Sequence, residues 1–105
     1  MSFGFFNRPD INEGVKLFHN TKNAVLIDVR EAEEYAQGHI PGSINVPLSR
    51  IHEALNVLGS RHTPVFVYCQ SGGRSKQAAQ LINGFGFYDT HDIGGFASYT
   101  GPKEP

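Results

Sequence analysis

Short strand-like segments alternate with helix-forming segments along this chain of 105 residues. They lie at 24–27, 43–46, 65–68 and 90–93, and those at 24–27 and 65–68 are continuous apolar runs rich in β-branched residues. A run of this length and character is typical of a strand that is covered on both faces. Alternation of strand and helix in so short a chain predicts a small α/β domain with a mostly parallel sheet and helices on both faces. We expect its ligand edge where the strands end and the helices begin.

Capping signals predict helices before and between these strands. Asp10, followed three residues later by Glu13, has capping-box spacing and predicts a helix that ends near Asn20. Three further helices are predicted over 31–37, over 49–58, and from 74 or 75 to 84. The tail at 101–105 is expected to fray.

The length and charge of the chain exclude several kinds of function. A chain of 105 residues predicts one domain over 1–105, with its core at about 10–99. Nine Lys and Arg against ten Asp and Glu give a net charge of −1. Binding to nucleic acid or to a membrane surface by bulk electrostatics is therefore not expected. The apolar opening at 1–6 is too short for a signal sequence or a span, and we expect a soluble, cytoplasmic protein.

The chain has one cysteine, Cys69, so an internal disulfide, a CxxC pair and a thiolate zinc cluster are excluded. A lone cysteine is more often a small buried hydrophobe than a nucleophile. Cys69, however, ends the strand at 65–68 and is followed by Gln70-Ser71-Gly72-Gly73, directly before a helix. Glycines in such a loop let backbone N–H groups turn toward one centre, which binds anions. That field and the charge of Arg74 favour a thiolate, so the loop predicts a nucleophile in an anion-binding site.

The segment Cys69-Gln70-Ser71-Gly72-Gly73-Arg74-Ser75 resembles the active-site loop of rhodanese-like sulfurtransferases in their single-domain form. Residues 26–31 and 38–47 are similar to the N-terminal signature of that family, and Gly94-Gly95 is similar to its C-terminal one. Tyr99 stands about where many members carry tryptophan, a departure that concerns packing rather than chemistry. The resemblance covers nearly the whole chain.

The resemblance implies a rhodanese-like three-layer fold, with a mostly parallel five-stranded sheet between helices, and a ping-pong reaction. Cys69 would take a sulfane sulfur from an anionic donor such as thiosulfate, carry it as a persulfide, and pass it to cyanide, a small thiol or a partner protein's thiol. No metal or organic cofactor is needed. With no second cysteine, the acceptor must come from outside the chain. The residues expected to bind the substrate are Gln70, Ser71, Gly72, Gly73, Arg74 and Ser75, with Arg74 on the donor and the amides and hydroxyls on the persulfide.

Two other functions stay open at this point. Dual-specificity phosphatases of the Cdc25 type, and the arsenate reductases related to them, share this fold and use a cysteine loop closed by arginine that is one residue longer. Here four residues separate Cys69 from Arg74, and the tighter nest suits a sulfur atom better than a phosphate group. A rhodanese-like binding module without turnover is the second alternative, and the presence of the cysteine counts against it.

Other polar and aromatic residues near these motifs are expected to be structural. Asp28 ends its strand on the same edge as Cys69, but its spacing to Glu31 is that of a capping box. Arg30 and Glu34 are expected to form an ion pair between residues four apart on a helix. His39 is expected to have a structural role in the turn at 39–42 rather than to act as a base. Core packing is the expectation for Phe3, Phe5, Phe6, Phe85 and Phe87.

Overall fold

The computed structural model describes residues 9–105, and most of the predicted elements are present there with bounds that shift by about two residues. The exception is the helix predicted over 49–58, whose first half is a 3₁₀ helix kinked at Arg50, so that the α-helix begins only at Ala54. The helices are α1 (Ile11–His19), α2 (Ala32–Gln37), α3 (Ala54–Leu58) and α4 (Gly73–Gly84). The strands are β1 (Val25–Asp28), β2 (Ser43–Asn45), β3 (Val65–Cys69) and β4 (Thr90–Gly95). Short 3₁₀ helices cover Leu48–Glu53 and Phe96–Ser98. None of the helices within residues 9–105 has the length and apolar character that a membrane span requires.

The strands form one parallel sheet in the order β2-β1-β3-β4. The expectation of five strands is wrong for residues 9–105, which hold four. After β4 the chain enters a 3₁₀ helix, and the one isolated bridge recorded in the described residues, between His39 and Glu104, is too short to add a strand. The strand-like segments of the sequence themselves indicate four strands, and the fifth comes from the resemblance alone. The expectations for Phe3, Phe5 and Phe6 lie outside the described residues.

The central strand β3 separates two apolar clusters, because successive side chains of a strand point to opposite faces. All five of its residues are buried. Val65, Val67 and Cys69 face the cluster that contains α3 and the apolar side of α4. Phe66 and Tyr68 face the cluster that contains α1. Helices therefore cover both faces of the sheet, as the sequence predicted, and Cys69 lies on the face of α4.

Helix α1 packs closely on β4 and brings its N-terminus next to the end of that strand. Asp10 caps the helix as predicted, since its carboxylate accepts the N–H groups of Asn12 at 3.0 Å and Glu13 at 3.4 Å. At Gly14, a Cβ atom would lie 2.4 Å from Cβ of Ile93, so only glycine permits this approach. The start of α1 thus becomes a neighbour of the loop that follows β3.

The C-terminal tail is fixed at His39, so the expectation that it frays is wrong. The N–H of His39 donates to the carbonyl of Glu104 at 2.7 Å, and the N–H of Glu104 donates to the carbonyl of His39 at 3.0 Å. The ring of His39 stacks on that of Tyr35, with centroids 3.7 Å apart. The structural role predicted for His39 is confirmed.

Candidate active site

The loop after β3 turns the N–H of Gly72 back onto the sulfur atom of Cys69. Gly72 precedes the first residue of α4 and has φ +107°, in the left-handed region that favours glycine. Its N–H donates to Sγ of Cys69 at 3.0 Å. Several loop amides were expected to converge on one centre, and among the described residues 70–75 this is the amide that the structure directs at the sulfur itself.

Cys69 combines a packed side chain with a polar sulfur environment. The residue has no exposed surface and lies among apolar side chains of β1, β3 and α4. Its sulfur nevertheless lies beside the first turn of α4, where the helix N-terminus carries partial positive charge. Cys69 therefore has the burial expected of a simple hydrophobe together with a polar contact at its sulfur, and its role as a nucleophile stays a prediction.

Ser75 lies beneath the loop rather than on its outer surface. It is fully buried in the first turn of α4, and its Oγ is 3.4 Å from Sγ of Cys69. The same oxygen is 3.0 Å from the carbonyl oxygen of Gly72 and 2.7 Å from Oδ1 of Asp92. The hydroxyl expected near the sulfur is there, and it is shared with a carboxylate.

Sequence reasoning missed Asp92. The register of β4 against β3 shifts at this point, because Val67 pairs with Asp92 and Tyr68 pairs with Gly94. The N–H of Gly94 donates to Oδ1 of Asp92 at 3.1 Å, which fixes the carboxylate toward α4. One signal could have found it: Asp92 is a carboxylate inside a strand that ends at the same edge as Cys69.

Arg74 forms an ion pair with Glu34 across the gap between α4 and α2. Its Nη1 and Nη2 donate to the two carboxylate oxygens of Glu34 at 2.7 and 3.0 Å. These hydrogen bonds hold the pKa of Glu34 at about 2, below its ordinary value of 4.5, and the carboxylate in turn raises the pKa of Arg74. The predicted pair between Arg30 and Glu34 is wrong, because each residue has another partner. The role of Arg74 toward a donor anion stays a prediction.

Arg30 ties the loop to the end of β1. Its guanidinium is buried and donates to the carboxylate of Asp28, at 2.8 Å from Nη2. Nη1 donates to the side-chain oxygen of Gln70 at 3.2 Å. Asp28 is structural, as predicted, but through Arg30. The capping box forms instead between Glu31 and Glu34, at the start of α2.

Two clefts border the loop on its outer side. The larger has a volume of about 730 Å³ and is lined by residues from the start of α1, the end of β4, and Ser71 and Lys76. The smaller, of about 400 Å³, lies between Arg30, Glu34 and Phe96. Gln70 borders both clefts. A substrate can therefore reach the loop from either side of Gln70, and Cys69 lies beneath it.

Gly95 supports the loop from below. A Cβ atom there would lie 2.7 Å from the carbonyl oxygen of Gln70 and 2.9 Å from Cα of Ser71. The same carbonyl accepts the N–H of Ala97 at 3.0 Å. The second glycine of the Gly94-Gly95 pair is thus needed because the loop backbone lies directly against β4.

Residues 12–101 match the family model of the Rhodanese-like domain. The chain is 40% identical over 81 residues to the uncharacterized protein YqhL of Bacillus subtilis, which covers 76% of this chain and 64% of that protein. It is 35% identical over 78 residues to thiosulfate sulfurtransferase PspE of Escherichia coli, which covers 73% of this chain and 75% of that protein. The chain thus spans less than two thirds of YqhL and three quarters of PspE.

Solved structures share this fold. A rhodanese with anions from E. coli superposes with a TM-score of 0.72 at 32% identity, covering 77% of this chain and 96% of that chain. The human single-domain sulfurtransferase superposes with a TM-score of 0.71 at 26% identity, covering 88% of this chain and 95% of that chain.

Proposed function

The chain belongs to the rhodanese-like domain family, and from this membership we propose that it is a sulfurtransferase that carries a sulfane sulfur as a persulfide on Cys69. The observation that carries the proposal is the N–H of Gly72, which donates to Sγ at 3.0 Å from a loop held at a helix N-terminus. A persulfide is an anion, and such a donor stabilises it. PspE, a relative at 35% identity, is named a thiosulfate sulfurtransferase.

The reaction runs in two displacement steps. The Cys69 thiolate attacks the outer sulfur of a donor such as thiosulfate, an S–S bond to Cys69 forms, and the donor's S–S bond breaks as sulfite leaves with the electron pair. A nucleophilic acceptor then attacks the outer sulfur of the persulfide and returns the thiolate. Cyanide as acceptor gives thiocyanate. Because the chain has one cysteine, the acceptor is an external molecule, either cyanide, a small thiol or a partner protein's thiol.

The loop residues take different parts in this proposal. The amides from Gln70 to Ser75, and the hydroxyls of Ser71 and Ser75, hold the outer sulfur. Arg74 binds the negative end of the donor. A guanidinium has five N–H donors, and hydrogen bonds from two of its nitrogens to Glu34 leave others for the donor. A free reactive thiol suits a reducing compartment, and we place the protein in the cytoplasm.

The test is the intact mass of the purified protein before thiosulfate, after thiosulfate, and after cyanide. We expect a gain of about 32 Da that cyanide reverses. Cys69→Ser should abolish both changes, and Ser49→Ala, an exposed hydroxyl at another place in the fold, should keep them. An unchanged mass would overturn the proposal. Turnover of an aryl phosphate in its place would indicate phosphatase chemistry, and no turnover at all would indicate a binding module.

A further inference from the structure

The Ser75 hydroxyl has more acceptors than protons. Its Oγ lies 2.7 Å from Oδ1 of Asp92, 3.0 Å from the carbonyl oxygen of Gly72, 3.5 Å from that of Gly94 and 3.4 Å from Sγ of Cys69. A serine has one O–H group and can fully donate to one of them. The contact with Asp92 is the shortest, and a carboxylate is the strongest acceptor of the set. The proton of Ser75 therefore points at Asp92.

The hydrogen bond from Ser75 to Asp92 leaves the N–H of Gly72 as the one donor to Sγ among the described residues, and this arrangement suits a thiol better than a sulfur anion. While the O–H of Ser75 donates to Asp92, its Oγ presents a lone pair to the sulfur. The thiol donates its S–H to that lone pair, with Sγ and Oγ 3.4 Å apart. A thiolate or a persulfide has no proton to give and needs a donor instead. Ser75 can become that donor only by turning its O–H from Asp92 to the sulfur. Asp92 and the sulfur anion thus compete for one proton.

We propose that Asp92 is a positioning residue that holds the Ser75 hydroxyl away from Cys69 and so sets the pH range in which the sulfur becomes reactive. When the thiol ionises, its proton passes to solvent, the Ser75 O–H turns to the sulfur, and Asp92 keeps the N–H of Gly94. No other bond forms or breaks. The identity of the anion as a persulfide rests on the proposed function, whereas the competition itself exists for a plain thiolate.

The charged neighbours of this group come from several elements. Lys76 of α4 and Asp10 at the start of α1 line the same cleft as Asp92, and they carry opposite charges. On the sulfur side, Arg74 is the charged neighbour of Cys69. None of these groups takes a hydrogen bond from Ser75, so the Ser75 hydroxyl is the direct link between Asp92 and the sulfur.

The test is the pH profile of Cys69 alkylation by iodoacetamide, at concentrations where the rate rises linearly with reagent. Asp92→Asn keeps the shape and an acceptor oxygen but removes the charge, which frees Ser75 for the sulfur. We expect the acid limb of the profile to move to lower pH, with a rate about tenfold higher near its foot. Asp89→Asn is the control, since Asp89 is exposed and contacts His91 away from the loop. An unmoved profile in Asp92→Asn would overturn the proposal.

Removing the negative charge of Asp92 also favours the thiolate by direct electrostatics, without the Ser75 hydroxyl. A second variant therefore has to test whether the effect of Asp92 acts through Ser75. In a Ser75→Ala background, Asp92→Asn should no longer move the profile. An equal shift in both backgrounds overturns the proposal. Ser75→Ala alone should move the acid limb to higher pH, because the anion loses its donor, and this arm stands even where an Asp92 variant fails to fold.

Alkylation needs no sulfur donor, so this experiment is independent of the mass change with thiosulfate. A shifted profile without a persulfide would keep the role of Asp92 and remove the sulfurtransferase. A persulfide with an unmoved profile would keep the sulfurtransferase and overturn the role of Asp92.

Discussion

At the scale of single residues, Arg74 and Glu34 form an ion pair that borders the site. The Arg74 hydrogen bonds hold the pKa of Glu34 at about 2 in the folded chain, against an ordinary value of 4.5. A carboxyl whose pKa is lower in the folded state stabilises the fold at pH values above its unfolded pKa, and that stabilisation is lost as the pH falls. For this pair the loss runs from about pH 4.5 down to about pH 2.

Glu34→Gln should therefore lower the free energy of unfolding at neutral pH and have no effect below about pH 2. Both side chains are about a third exposed, so water screens the pair and we expect a loss of about 0.5–1 kcal/mol. Urea unfolding at a series of pH values measures it. Glu33→Gln, on the exposed side of the same helix, should lose less. An equal loss at every pH would contradict the assignment to this pair.

Local residue patterns predicted Cys69 and its loop, because the loop residues are neighbours in the sequence. Glycines directly before a helix are typical of a loop that binds anions. The partners of Glu34 and Ser75 could not be predicted in the same way. Glu34 meets Arg74 because of how α2 faces α4, and Asp92 meets Ser75 because of the register shift in β4. Both contacts join residues that are distant in sequence, and no periodic pattern encodes them.

At the scale of elements, the site depends on how closely the loop approaches β4. The sequence indicated a strand that ends at Ile93 and a turn at Gly94-Gly95. In the structure β4 continues through Gly95, and these glycines pair with Tyr68 and Cys69 of β3. Two consecutive glycines, considered alone, favour a turn. Here they hydrogen-bond to the neighbouring parallel strand β3 instead, and the loop that lies against them leaves no space for a side chain.

Gly95→Ala should slow persulfide formation by at least about tenfold, because the added Cβ displaces the loop backbone that holds the sulfur. The rate of mass gain with thiosulfate measures the effect, and the rate of iodoacetamide alkylation reports the loop position independently. Gly84→Ala is the matched control, since a Cβ at the end of α4 meets open space. Equal rates in the two variants would show that the loop tolerates the side chain.

At the scale of the whole molecule, strand and helix alternation was sufficient to predict the parallel α/β architecture. The strand-like segments also indicated the four strands that are present, and the fifth was implied by the resemblance alone. The fixed tail was not predictable. The fifth strand had no apolar run of its own behind it, and the bridge from His39 to Glu104 is a backbone contact between distant residues. A contact between backbone groups has no signature in the side-chain pattern of the sequence, so the polar tail was expected to fray.

Glu104→Pro should destabilise the fold, because proline has no N–H to donate to the carbonyl of His39. One lost backbone hydrogen bond costs about 1 kcal/mol, which lowers the Tm of a chain this size by about 4–8 °C. Thermal unfolding measures the change. Glu104→Ala keeps the N–H and should lose clearly less; an equal loss in both variants would mean that the side chain, not the backbone bridge, holds the tail.

Because Cys69 has no exposed surface, every reagent must wait for the loop above it to open. At high concentration the rate of reaction then stops depending on the reagent and equals the frequency of opening. Sulfur donors that differ in size and charge should therefore approach the same maximal rate of reaction with Cys69. In the proposed sulfur transfer, the closed loop would set an upper limit on how fast a sulfur arrives at this residue.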